Sequence, residues 1–227
     1  DAIYYGALEQ TQDKRTPVLR LDGLLKLYEW IRALENFNKD GDYGAFRSLF
    51  NDEKLPGDLL AEAAFLERVA NASLGSQKLT SAMQKIDAGA AMSAAGKLFL
   101  PLLNQRTEWR KGKDRAERER RLAIDYLGRA DYLRAAQFGY ESFISAQTRG
   151  DLNEYNARKE ADTYLSEKAK ALTTESPENF STLKNLRNAL AHGTMDSNQG
   201  KTAAFIKKLT SHESELRKWL EKALRQS

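Results

Sequence analysis

The sequence predicts an all-α protein preceded by one short strand, and three observations carry that reading. Apolar residues recur at three- and four-residue steps through most of the chain, the period of a helix with one buried face. Only four prolines occur in 227 residues, which favours long helices over a turn-rich β protein. A short β-favouring run, Ile3-Tyr4-Tyr5, stands near the start.

That run has no evident partner, and a lone strand is marginal by itself. It reads as the last piece of an upstream domain, with Thr11 to Pro17 a polar linker ending in a helix-entry proline. Residues 1–16 are therefore assigned to a residual strand and linker, and residues 17–227 to a helical domain.

The first helix spans Leu21 to about Asn38, where Leu21, Leu24, Leu25, Tyr28, Ile31, Leu34 and Phe37 lie on one face. Asp40-Gly41-Asp42 stops it, a short helix follows from Tyr43 to Phe50, and Leu55-Pro56-Gly57 turns the chain. Asp58 is expected to cap a helix from Leu59 to Asn71 with Leu60, Ala64, Phe65 and Val69 inward. Residues 73–103 hold two helices, with Gly75, Gly89, Gly96 and Pro101 marking interruptions. A strong amphipathic helix covers Ala130 to Gln147, and a more polar one Leu152 to Leu172. The next runs from about Glu178 to the Arg187–His192 region, burying Phe180, Leu183, Leu186 and Leu190. A last helix, Lys201 to Arg225, aligns Ile206, Leu209, Leu216, Leu220 and Ala223, with Trp219 at the edge.

Bulk composition narrows the function classes. Without cysteine there are no disulfides, thiolate metal sites or cysteine nucleophiles. Two histidines, His192 and His212, make a His-rich metal site within one chain unexpected, and no cofactor or metal is called for. No apolar run approaches the roughly 18–20 residues of a membrane helix, and no signal peptide opens the chain, so a cytoplasmic protein with no membrane partner is expected. A net charge of +4 and pI of about 9.1 permit contact with a polyanion. The most basic stretch, Arg106 to Arg121, is either a solvated face balanced by Glu108, Asp114, Glu117 and Glu119, or a sequence-independent phosphate-binding surface.

Chemistry concentrates in Arg187-Asn188-Ala189-Leu190-Ala191-His192-Gly193. Five helical steps end about 140° past a full circle, so Arg187 and His192 converge only if the helix loosens near Gly193, a residue suited to a left-handed C-cap. Asn188 and His192, four apart, lie one turn from each other on one face. Against a functional site stands a plain alternative, a C-terminal histidine meeting the helix dipole beside an arginine in an ordinary salt bridge. His212, inside the last helix, reads as a surface or interface residue. Trp30, Trp109 and Trp219 could stack unpaired bases but at helical spacing read as core.

Arg187-Asn188-x-x-x-His192, near the start of the last helices of an all-helical domain, resembles the Arg-x(4–6)-His signature of HEPN ribonucleases. Ile3 to Glu9, the Pro17-led helix with Glu29-Trp30-Ile31-x-Ala33, then Phe37 and Gly41-Asp42, resemble the junction in CRISPR-associated CARF–HEPN ribonucleases of type III systems. The resemblance implies a HEPN-type bundle that pairs as a homodimer, the motifs of both chains building one site that cleaves single-stranded RNA. It also implies activation by cyclic oligoadenylate through an absent N-terminal domain. Metal-free cleavage needs a base for the 2′-hydroxyl, an acid for the 5′-oxygen and positive charge on the phosphorane. In those roles His192 is the general acid/base, Arg187 clamps the non-bridging oxygens, and Asn188 orients the histidine or the phosphate. A HEPN toxin of a toxin–antitoxin pair and a non-catalytic helical dimerisation or RNA-binding module are the competing readings.

Overall fold

The computed structural model describes residues 4–89, 92–151, 153–171, 180–193 and 201–225. Among them the fold is all-α, with eleven α-helices and one two-stranded sheet. The chain divides into two compact units, Asp1–Thr107 and Glu108–Ser227.

The first unit opens with a correction. Strand β1 (Tyr4–Gly6) pairs antiparallel with β2 (Val18–Arg20), Tyr5 opposite Leu19, so its partner lies fourteen positions on in the same chain. Pro17 opens no helix. Its carbonyl accepts from the Ala7 N–H at 3.0 Å, and the hairpin crosses the boundary placed between residues 16 and 17. Three residues are too few for the alternation that announces a strand, and Val18-Leu19 merge on paper with the helical period that follows.

Helix α1 (Asp22–Asp40) ends where Gly41 turns left-handed at φ 72° and donates to the Phe37 carbonyl at 2.8 Å. Its inner face buries Trp30, Ala33 and Phe37. Trp30 meets Phe50 edge-on at 5.2 Å and stacks on Phe99 at 5.9 Å. A 3-10 turn (Tyr43–Phe46), with the Asp42 carboxylate accepting from the Gly44 N–H, leads into α2 (Arg47–Asp52). Helices α3 (Gly57–Arg68), α4 (Ala72–Ala88) and α5 (Ala94–Arg106) complete the unit. Asn71 and Ser93 cap the last two. Gly75, Gly96 and Pro101 sit inside helices and break none.

Two expectations about α3 fail. Asp58 lies in its first turn and accepts from Arg47 Nε at 2.6 Å and Asn51 Nδ2 at 3.1 Å, tying α3 to α2 in place of capping. Phe65 and Val69 point outward, 56% and 54% exposed, while Leu60, Ala63 and Ala64 form the buried stripe.

The second unit starts with a 3-10 turn (Glu108–Lys111) that buries Trp109, followed by α6 (Arg115–Gly128) and α7 (Tyr132–Gln147). The rings of Tyr126 and Phe138 stack between these two helices, 5.6 Å apart and 3° from parallel. Then come α8 (Tyr155–Ala171), α9 (Phe180–His192), α10 (Lys201–Ser211) and α11 (Glu213–Arg225). Helix α7 is central and packs against α6, α8, α9 and α11. Gly139 lets α11 close in, since a Cβ there would lie 2.5 Å from Leu224 Cδ2.

The single helix expected over Lys201 to Arg225 is in fact two. The His212 carbonyl accepts from the N–H groups of both Glu215 and Leu216, starting a new helix at the residue where α10 has stopped. The apolar spacing carries across the break, with Ile206 and Leu209 buried before it and Leu216, Trp219, Leu220 and Ala223 after it, which hides it from a periodicity count. No helix among the described residues is long and apolar enough to cross a membrane.

Candidate functional site on α9

Helix α9 buries Phe180, Leu183 and Leu186 and turns Asn188, Ala191 and His192 outward. It stays helical through His192 and ends at Gly193, which is left-handed at φ 80°. The glycine cap expected from the sequence is present, but the loosening that would swing His192 towards Arg187 is not. On an unbroken helix the two residues leave the axis about 140° apart.

Asn188 is brought to Arg187. Its Oδ1 accepts from Nε at 3.2 Å and from Nη2 at 2.8 Å. This engages two of the guanidinium's five N–H bonds and leaves the Nη1/Nη2 edge to grip a second partner in a bidentate way. Asn188 and His192 remain one turn apart on the outer face, both exposed.

Arg187 rests on Tyr140, whose helix the sequence allowed to pack behind the motif. Its guanidinium carbon stands 4.3 Å from the centroid of the Tyr140 ring on α7, a cation–π stack. The same ring stacks on Phe180 at 5.2 Å, and its hydroxyl donates to Asp162 Oδ1 on α8 at 2.9 Å. Lys184, also on α9, donates to both Asp162 oxygens at 2.8 and 2.6 Å. Burial and the Asp162 carboxylate push the Tyr140 hydroxyl well above the ordinary phenol range, against the pull of Arg187, so it stays a neutral donor. Tyr140 and the adjacent Glu141 could be placed from sequence only as residues behind the motif. Asp162 and Lys184, 22 positions apart on different helices, carry no local signal.

A second polar chain runs across α6, α7 and α8. Arg115 Nε donates to the buried Glu119 at 2.7 Å, the Ser145 hydroxyl donates to the other Glu119 oxygen at 2.5 Å, and Arg158 donates to Ser145 and pairs with Glu141. Burial raises the Glu119 carboxyl above its ordinary range, opposed by Ser145 and Arg115. This chain fastens three helices.

Much of the basic segment is internally matched. Lys111 pairs with Glu108, Arg115 with Glu119 and Arg121 with Glu117, and Arg118 donates to the Gly112 carbonyl. Those contacts favour a charge-balanced face over a phosphate-binding surface. Trp30, Trp109 and Trp219 are buried, so none presents a ring to a base. His212 is exposed at the junction of α10 and α11. Among the described residues no three His, Asp or Glu side chains converge as metal ligands.

The chain matches no protein-family model, no curated protein and no solved structure.

Proposed function

We propose that the chain is a HEPN-type endoribonuclease that cleaves single-stranded RNA without a metal, at a site completed by the outer faces of two α9 helices in a homodimer. In a longer protein it would answer to a cyclic oligoadenylate bound by an N-terminal CARF-like domain, within type III CRISPR antiviral defence in the cytoplasm. The observation that carries the reading is Arg187, stacked on Tyr140 and tied along one edge to Asn188, with its other edge available on the same helix that ends in an exposed His192. A guanidinium fixed in this way suits the non-bridging oxygens of a phosphodiester.

In the reaction a histidine takes the proton of the 2′-hydroxyl, whose oxygen attacks phosphorus. The P–O5′ bond breaks, a second histidine returns a proton to the 5′-oxygen, and a 2′,3′-cyclic phosphate and a 5′-hydroxyl remain. Each chain supplies one His192, and a two-fold partner supplies the other. The divergence of Arg187 and His192 on α9 fits a site that draws these groups from separate chains. The same divergence, taken in a single chain, favours the competing reading of a non-catalytic helical module in which Arg187 is merely packed.

Cleavage of a labelled single-stranded RNA in EDTA, by the chain and by His192→Ala, separates the two. Chelator-resistant cleavage with 5′-hydroxyl ends, lost in the variant, is the expected result. Cleavage that the variant retains would refute the assignment of His192.

A further inference from the structure

The endoribonuclease reading gives Arg187 a task but does not say what holds it ready, and the packing around α7 supplies an answer. Phe180 and Arg187 stand seven positions apart on α9, about 10 Å along the helix axis. The Tyr140 ring meets both, 5.2 Å from the Phe180 ring and 4.3 Å from the Arg187 guanidinium. It is buried, 8% exposed, and cannot rotate away without breaking its hydroxyl bond to Asp162. Asp162 is itself held by both of its oxygens on Lys184. The lock therefore closes back onto α9, one turn before the arginine it serves.

We infer that Tyr140 is a positioning residue for the proposed cleavage, an aromatic shelf pinned by Asp162 and Lys184 that presents Arg187 to the scissile phosphodiester. The inference rests on the nuclease reading and extends it to three residues outside the Arg187–His192 motif. Two contacts act on the guanidinium: the Tyr140 ring lies 4.3 Å from its carbon, and Asn188 accepts from Nε and Nη2. The edge left over is the bidentate one, and an arginine whose orientation is set before the reaction stabilises developing phosphorane charge without reorganising. A shelf of this kind acts on the transition state more than on ground-state binding, so its loss belongs in kcat.

The test compares the wild-type chain with Tyr140→Met, which fills the space without a π face, and Tyr140→Phe, which keeps the face and drops the hydroxyl. Two quantities are read: kcat and KM for single-stranded RNA in EDTA, and the NMR resonance of the Arg187 Nε–H, which a ring within stacking distance displaces. Tyr140→Met is expected to lower kcat about tenfold with KM within about twofold, and to return the Arg187 resonance to an unstacked position. Tyr140→Phe keeps the ring but loses the pin, so its kcat and resonance are expected to fall between those of wild type and Tyr140→Met. Wild-type kinetics in Tyr140→Met, a change confined to KM, or an undisplaced wild-type resonance each overturns the inference. The wild-type resonance decides the matter should Tyr140→Met fail to fold. A wild-type chain that cleaves no RNA refutes the nuclease reading itself and reduces a displaced resonance to a packing contact, an outcome distinct from an active enzyme indifferent to Tyr140.

Discussion

The Asn188 carboxamide oxygen accepts from both Nε and Nη2 of Arg187, so two neighbours on α9 behave as one group. In the sequence Asn188 stood nearer to His192, one turn away on the same face, and was expected to orient the histidine or the phosphate. The bond makes the arginine its first partner. Asn188→Ala is expected to lower kcat for RNA cleavage about tenfold, a hydrogen bond to a charged group being lost. In Arg187→Ala the same change should cost little more, because the partner it steadies is gone. Rate constants for the two single variants and the double variant close this cycle, and additive losses would show that Asn188 acts elsewhere.

Arg187 and His192 diverge on a helix unbroken to its last residue, so a site using both draws them from different chains. Because the proposed reaction takes one His192 from each chain, His192→Ala exchanged in excess into wild-type dimers should depress cleavage, each mixed dimer holding a single histidine. Sedimentation at micromolar concentration should give twice the chain mass. A monomeric mass, or wild-type cleavage undiminished by excess variant, would sink the shared site.

Where the fold was legible, apolar recurrence at helical steps made it so, though it misplaced the buried face of α1: Leu24, Tyr28 and Ile31 are exposed, and Trp30, Ala33 and Phe37 are buried. Leu21 to Phe37 placed α1 within two residues at either end, and the Gly41 stop followed from the left-handed turn that glycine permits. Glycines misled where they serve packing. Gly96 lies within α5 where a Cβ would stand 2.6 Å from Met92 Cγ, and Gly75 lies within α4 where α3 stands at ordinary contact distance. Phe65 and Val69 look like core at helical spacing and are surface, since which stripe of α3 faces inward is settled by α4 and the 3-10 turn it packs on. At the candidate site the motif itself was readable, being local. Its support, Tyr140 with Asp162 and Lys184, is spread over three helices and exists only once they are packed.

Glu119 makes stability depend on pH in a predictable sense. Its carboxyl is raised in the folded chain, chiefly by burial, so the folded state holds the proton more tightly than the unfolded one. Its contribution is complete below the ordinary carboxylate value of about 4.3 and is lost as pH rises through the raised folded value. Glu119→Gln cannot titrate, and wild-type stability minus that of the variant should fall as pH climbs from about 4 towards neutrality. Urea unfolding at a series of pH values measures the difference, and a flat or rising one would contradict burial as the dominant influence on Glu119.

Two glycines should respond oppositely to the same change. Gly57 begins α3 against the backbone of α2, and a Cβ there would stand 2.0 Å from the Arg47 carbonyl oxygen and 2.7 Å from Asn51 Oδ1. The nearest atom is main chain and cannot step aside, so Gly57→Ala must push α2 and α3 apart and strain the Arg47–Asp58 bond that joins them. A loss of about 3 kcal/mol is expected, at the upper end for overpacking. Gly23, near the start of α1 and exposed, has nothing within 4 Å of the position a Cβ would take. Gly23→Ala removes only backbone freedom from the unfolded chain and should gain about 0.5–1 kcal/mol. Thermal and urea unfolding of both variants, followed by far-ultraviolet circular dichroism, reads the two signs, and a neutral Gly57→Ala would mean that α2 and α3 are not packed so closely.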